Sequence, residues 1–214
     1  MLPYVVIHNA VSADGRMDFL NVDLGLYYSL ISTWNEDATL CGSETMLQPG
    51  WDEWEHDGTT DPSKPLLVVA DSRGRFKNWK KAAPSPYWRK GIALCSSSTP
   101  PEHLDFLKMS GVEAIVAGEE RVDLRAALES LYERHGVRTV RVDSGGTLNG
   151  SLLRAGLVDE VSVLVCPQLT GGASQSSIFR APDLGSADGV IGLELTSSRK
   201  LKGGTVWLRY RVRK

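Results

Sequence analysis

Apolar residues recur along this chain in short β-branched runs, separated by stretches in which they return every three or four positions. The first run, "PYVVIHNAV", predicts a strand that ends in "SADG", where Asp14-Gly15 supplies turn chemistry. "GLYYSLISTWNED" then carries Leu26, Leu30 and Trp34 four residues apart, which predicts a helix. "ATLCG" predicts a second strand entering "SETML", the opening turn of another helix, and "PLLVVADSRGR" a third strand with polar residues at its C-terminal end. "GIALCSS" and "VEAIVAG" follow as strands with "PPEHLDFLKMSG" as the helix between them. The next unit has the fullest set of signals. Asp123 is placed to cap a helix with Leu124, Leu128 and Leu131 on one face, and Gly136 to end it. "VRTVRVD" is then a strand, Gly145-Gly146 a turn, "TLNGSLLRAG" a short helix closed by Gly156, and "EVSVLVCPQL" another strand. The tail "GLELTSSRKLKGGTVWLRYRVRK" reads as an antiparallel hairpin across Lys-Gly-Gly. Strand and helix alternate to the end, which predicts an α/β fold: a mainly parallel central sheet flanked by helices, with a C-terminal antiparallel hairpin.

Two segments depart from the pattern. Residues 48–65, "QPGWDEWEHDGTTDPSKP", form an acidic loop rich in Gly and Pro, long enough to suggest a flap or an insertion. Its Trp51 and Trp54 either cover a ligand, meet a second subunit, or anchor the loop to its own domain. "FKNWKKAAPSPYWRK" mixes basic and aromatic residues as single-stranded nucleic-acid surfaces do. One such stretch in a slightly acidic protein reads as a solvated connection.

Composition narrows the class. The 214 residues suit a single domain spanning residues 1–214, and 42% apolar with 23% charged residues is ordinary globular content. A formal net charge of −2 argues against a dedicated nucleic-acid binder. No apolar run approaches the roughly 18 residues that span a bilayer. The start "MLPYVVIHNAVSADG" has no basic region followed by a long apolar one, so cytoplasmic residence is the expectation. Cys41, Cys95 and Cys166 are odd in number and far apart, which speaks against disulfides and a zinc site. His8, His56, His103 and His135 show no metal-ligand spacing, so no metal is expected and structural or surface roles are.

"RVDSGGTLNG", residues 141–150, carries the strongest hint of chemistry. Asp143-Ser144-Gly145-Gly146 is also the string around the nucleophile of chymotrypsin-like proteases. Those enzymes are double β-barrels, whereas this serine lies between a strand and a helix. The α/β-hydrolase elbow needs Gly-x-Ser-x-Gly, and Val142 occupies its first glycine. A strand ending in Gly-Gly and opening into a helix does present free N–H groups to an anion. A tight turn with nothing bound remains the alternative for these residues in isolation.

The whole chain resembles a family. "VDSGGTLNGSLLRAGLVDEV" is similar to the Glu-Gly-Gly-x-x-Leu…Leu-Val-Asp-Glu segment of riboflavin-biosynthesis reductases, the reductase domain of bifunctional RibD proteins and their stand-alone archaeal counterparts. "NAVSADGRMD", "EDATLCGSETML", "PLLVVADSRGRF" and "VDLRAALESLYERHGVRTVRVD" resemble further family motifs in the same order. The resemblance implies a dihydrofolate reductase-like fold, a homodimer, a small-molecule substrate and NADPH. Gly42 and Thr45 would face the cofactor, Ser72 and Arg73 would take its 2′-phosphate, and Ser144, Gly145, Gly146 and Thr147 its diphosphate. Gly118 would let it pass close to the backbone. Asn9, Ser12, Asp14, Gly15 and Asp143 would face the substrate, with Asp143 and Asp14 as the candidates for orienting or protonating it. Hydride would pass to C1′ of a ribosylamino group, giving a ribitylamino product.

The resemblance has two breaks. The family's Asp-Asp/Asn-Pro-x-Leu-x-x-Arg segment, which helps to bind the phosphorylated substrate, is replaced here by "TMLQPGWDEWEHDG", leaving Arg16, Arg89 and Arg180 as phosphate candidates. The zinc deaminase motifs of bifunctional members are absent. Three readings follow: a pyrimidine reductase of riboflavin synthesis, a reductase of the same fold acting on another carbonyl, imine or pterin, or a non-catalytic nucleotide-binding protein.

Overall fold

A computed structural model describes residues 1–48, 59–173 and 176–214. Trp51, Trp54 and most of the acidic loop lie outside the described residues. Chain contacts divide the protein into two compact units, one of residues 1–3 and 36–140 and one of residues 4–35 and 141–214.

The first unit is a parallel α/β layer. Its strands β2 (Ala38–Gly42), β3 (Leu66–Ala70), β4 (Lys90–Cys95) and β5 (Glu113–Val116) lie in the order β5-β4-β3-β2, all parallel. The β2 limits match those read from "ATLCG". Helices α2 (Ser43–Met46), α3 (Trp79–Ala82), α4 (Pro101–Met109) and α5 (Leu124–His135) connect them. Helix α5 follows its sequence signals closely. The Asp123 carboxylate accepts the N–H groups of Arg125 and Ala126, Gly136 ends the helix at φ 68°, and Leu128 and Leu131 are buried.

The basic-aromatic stretch is not the solvated connection its composition suggests. Phe76 and Trp79 are among the most deeply buried side chains in the protein, with ring centroids 4.9 Å apart, while Lys77, Lys80 and Lys81 face solvent. The apolar residues recur at three-residue spacing through α3, so they share one face and the lysines take the other. Gly91 of β4 makes room for the indole: a Cβ there would fall 2.8 Å from the Trp79 ring.

The second unit contains β1 (Tyr4–Ser12), β7 (Glu160–Cys166), β8 (Leu193–Lys200) and β9 (Val206–Val212), in the order β1-β7-β9-β8. Strands β1 and β7 are parallel, and the other two pairs are antiparallel. The terminal hairpin closes through left-handed Gly203 and Gly204, as the Lys-Gly-Gly signal implies. Strand β6 (Thr139–Val142) carries the chain from the first unit into the second and leads to α6 (Gly146–Arg154).

Helix α1 (Leu24–Ser29) is shorter than its apolar stripe predicts. It yields to a 3-10 turn at Ile31–Thr33 and a left-handed Asn35. The buried pair is Tyr27 and Trp34, whose rings lie 4.4 and 5.1 Å from that of His8, while Leu26 and Leu30 stay half-buried. Packing on His8 buries Trp34 of the predicted stripe together with Tyr27, and Leu30 packs at the edge of the same cluster.

The indole of Trp79 supplies volume and no hydrogen bond, since its Nε1 has no partner among the described residues. Trp79→Ala is expected to cost about 3–5 kcal/mol in urea unfolding, and Trp79→Phe well under half of that. Equal losses would show that the N–H matters after all.

Candidate active site

In the second unit, the end of β6 and the start of α6 gather polar side chains that are distant in sequence. Asn9, buried on β1, donates from Nδ2 to the Ser144 carbonyl at 3.0 Å. Asn149, buried on α6, donates to the Asn9 Oδ1 at 2.8 Å and lies 3.3 Å from the same carbonyl. The two asparagines fix the turn by its backbone. Asp143 stands beside them, its Oδ2 taking a hydrogen bond from Arg141 at 2.7 Å. The Arg141 side chain is 3% exposed, whereas that of Asp143 is 26% exposed, so the carboxylate is backed by a buried cation and still reaches solvent. Tyr27 places its hydroxyl 3.2 Å from Asp143 Oδ1 and 2.6 Å from the His8 carbonyl.

His8 is held in one neutral form. Trp207 Nε1 donates to Ser162 Oγ at 2.8 Å, which leaves the serine proton for His8 Nδ1 at 2.9 Å and the Nε2 proton facing the Tyr27 carbonyl at 3.4 Å. Burial, reinforced by the charge on Arg141, pushes the imidazole down to about 4. His8 is therefore part of the scaffold under Asp143.

The two glycines have different surroundings. Gly145 is exposed, and a Cβ on it would meet nothing within 4 Å. A Cβ on Gly146 would fall 2.1 Å from the Ser177 carbonyl oxygen, and one on Gly150 1.9 Å from that of Arg180. The Arg180 N–H donates to Gly146 O at 2.9 Å, so this segment packs directly on α6. The chain's own backbone accounts for Gly146 and Gly150, which leaves Gly145 and the exposed Thr147 as the open face of the turn.

The turn after β1 is laced to the same segment. Ser12 Oγ accepts the Arg16 N–H at 2.9 Å, and Gly15 takes a left-handed φ of 79°. Asp14 accepts the N–H groups of Gly171 and Thr170 at 2.8 and 3.2 Å. Hydrogen bonds from the Ser12 hydroxyl and these two amides hold the Asp14 carboxyl at about 2. Such a group is ionised at neutral pH and suits anchoring or orienting rather than proton donation. Arg16 donates to the Gly172 carbonyl at 3.1 Å and pairs with Asp18. Arg89 is bonded to the Lys64 carbonyl. The guanidinium of Arg180 has no hydrogen bond or ion pair among the described residues.

In the first unit, Ser72 and Arg73 follow β3. Ser72 Oγ accepts the Val122 N–H at 3.0 Å, so its own proton remains to be donated, and Arg73 is exposed with no partner among the described residues. Gly42 caps α2 with extended backbone, and Thr45 lies within that helix. Arg75 donates to Ser43 Oγ at 3.2 Å and pairs with Glu44 at 3.4 Å. At Gly118 a Cβ would lie 2.3 Å from Arg121 O, so its own turn accounts for the glycine. The sequence reading passed over Arg141, Tyr27, Asn149 and Arg75. Arg141 alone had a usable signal, an arginine two residues before Asp143 and so on the same face of a strand. Among the described residues no group of three or more His, Cys, Asp or Glu side chains gathers as metal ligands, and no helix is long and apolar enough to cross a membrane.

The glycines separate two roles experimentally. Gly150→Ala is expected to destabilise the protein by roughly 1–3 kcal/mol through overpacking, and Gly145→Ala to leave urea unfolding within about 0.5 kcal/mol of the parent. A large loss at Gly145 would mean that its missing side chain serves the fold.

Comparison with known proteins places this geometry. A 2,5-diamino-6-ribosylamino-4(3H)-pyrimidinone 5′-phosphate reductase of Methanothermobacter thermautotrophicus is 30% identical over 226 aligned positions, covering all of both chains. The enzyme of the same name from Archaeoglobus fulgidus is 31% identical over 83% of this chain and 86% of its own. A pyrimidine reductase-like protein of Corynebacterium diphtheriae shares the fold with a TM-score of 0.77 at 18% identity, over 99% of this chain and 92% of that one. The RibD C-terminal domain profile matches residues 3–207, and this chain belongs to that family.

Proposed function

We propose that the protein is an NADPH-dependent reductase that converts the ribosylamino group of a pyrimidine 5′-phosphate into a ribitylamino group in riboflavin biosynthesis. The observation that carries this reading is the Arg141-backed carboxylate of Asp143, set beside the Gly145 turn in a chain that matches such a reductase along its full length. The family profile covers both compact units, which supports treating residues 1–214 as one reductase domain.

The residues present suit the cofactor. Arg73 and the free proton of Ser72 fit a 2′-phosphate, with Gly42 at the end of β2 in register with Ala70 of β3 and Thr45 in the helix that follows. Gly145 and Thr147 offer open backbone and a hydroxyl to a diphosphate. NADPH supplies the hydride when bound. Asp143 orients the substrate through hydrogen bonds to its hydroxyl or amino groups, and Arg141 keeps the carboxylate aimed. Asn9 acts through the Ser144 carbonyl that it holds. Asp14, already committed to three donors, anchors the turn. Arg180 is the phosphate candidate left without a partner among the described residues. A reductase with another small carbonyl, imine or pterin substrate is the second reading, favoured by the replaced segment at "TMLQPGWDEWEHDG".

NADPH is expected to quench the tryptophan fluorescence of the protein, and Asp143→Ala to leave that affinity within about twofold while turnover falls roughly 100-fold. Equal loss of both would place Asp143 on the cofactor instead. Failure of both NADPH and NADH to bind would end the reductase reading.

We also propose the homodimer that the family resemblance implies. Strand β8 pairs only with β9 among the described residues and exposes Leu193 and Leu195, a surface that a second copy would cover. Sedimentation should return about twice the 23.4 kDa chain mass, and Leu195→Arg should return the single chain. A parent protein that sediments as one chain contradicts the dimer.

A further inference from the structure

The loop that carries Ser72 and Arg73 stands on a buried histidine with no part in the chemistry described so far. The first turn of α4 brings His103 beneath Gly74, where an added Cβ would lie 2.7 Å from both the Cβ and the Cγ of His103. Gly74 itself has a left-handed φ of 65°, so the loop reverses directly above the ring. Asp71, at the base of the loop, closes it by accepting the Phe76 N–H on Oδ2 at 2.7 Å. The same Oδ2 lies 4.0 Å from His103 Nε2, too far for a direct hydrogen bond. Asp71 Oδ1 and both ring nitrogens of His103 have no partner among the described residues. Both side chains are almost wholly buried. Desolvation holds His103 below the usual imidazole range, so it stays neutral at neutral pH.

The same part of the chain grips Ser72 from two sides. Thr99, just ahead of α4, donates from Oγ1 to the Ser72 carbonyl at 2.9 Å, and Val122 donates to Ser72 Oγ at 3.0 Å. His103 therefore supports Gly74 while Thr99 fixes Ser72, and Arg73 is held between them. An apolar side chain would fill the space under Gly74 at less cost than a polar pair with unmet hydrogen bonds. What His103 gives the loop is the Cβ and Cγ on which Gly74 rests.

We propose that His103 is a positioning residue for 2′-phosphate recognition, holding the Asp71–Phe76 loop where Ser72 and Arg73 meet the anion together. The inference rests on the reading that assigns the 2′-phosphate of NADPH to those two residues. Adenosine 2′,5′-bisphosphate and adenosine 5′-monophosphate differ only in that phosphate, and their affinities are measured by calorimetry on the full-length protein. The parent should prefer the bisphosphate. His103→Ala, which removes the Cγ and ring beneath Gly74, should weaken that preference about tenfold, the size of one well-placed charge-assisted contact, with monophosphate affinity unchanged. His103→Leu, which keeps a Cβ and Cγ under the loop, should retain most of it. Should His103→Ala fail to fold, Gly74→Ala gives the same reading by lifting the loop off the ring. Undiminished preference in His103→Ala or Gly74→Ala, or equal loss of both nucleotides, overturns the positioning role. A parent with no preference for the bisphosphate overturns the 2′-phosphate assignment and the positioning role with it.

Discussion

A strand that ends in a buried turn must leave no backbone carbonyl unsatisfied, and in this protein that constraint falls on Ser144. Its oxygen is taken by Asn9 from β1 and approached by Asn149 from α6, two amides 140 positions apart. That lock decides how β6 turns into α6, and therefore where Asp143 and Gly145 emerge. A local sequence signal explains why a turn forms at Gly145-Gly146. The long-range amides explain why it forms in one orientation, since a buried carbonyl with two donors has little freedom to rotate.

The electrostatics of the second unit follow from the same arrangement. Arg141 is nearly fully buried and meets its opposite charge at Asp143, so the carboxylate is fixed from behind and open in front. His8 lies in the field of that cation and is kept neutral by burial, which prevents two positive charges from competing for one carboxylate. Asp14 is ionised for a separate reason, three donors converging on an exposed carboxylate. Two aspartates that look alike in sequence thus have different work: one anchors a turn, and the other is available to a ligand. In the first unit, Ser72 and Arg73 stand on a loop held by Thr99 and Val122 and packed on His103.

Much of the fold was readable because its determinants are local. Asp123 and Gly136 mark both ends of α5, "ATLCG" delimits β2, and the Lys-Gly-Gly turn closes the last hairpin. Local periodicity failed where a distant partner chose the buried face. Tyr27, outside the predicted stripe, packs on His8 beside Trp34, and Phe76 with Trp79 enter the core from a stretch whose lysines suggested a surface. The candidate site divides in the same way. Family motifs pointed to Asp143, Gly145, Ser72 and Arg73, whereas Tyr27, Asn149 and His103 act through contacts that no short window contains. Gly146 is a motif glycine whose empty side is filled by the protein's own backbone.

The central claim is that this chain transfers a hydride from a nicotinamide cofactor to the sugar carbon of a ribosylamino-pyrimidine phosphate. Incubation with that substrate and NADPH deuterated at the transferable C4 position, followed by mass spectrometry of the product, tests it most directly. The account predicts a ribitylamino product that carries one deuterium at C1′. Cofactor binding without any reduced pyrimidine, or a product with no label at C1′, would contradict it.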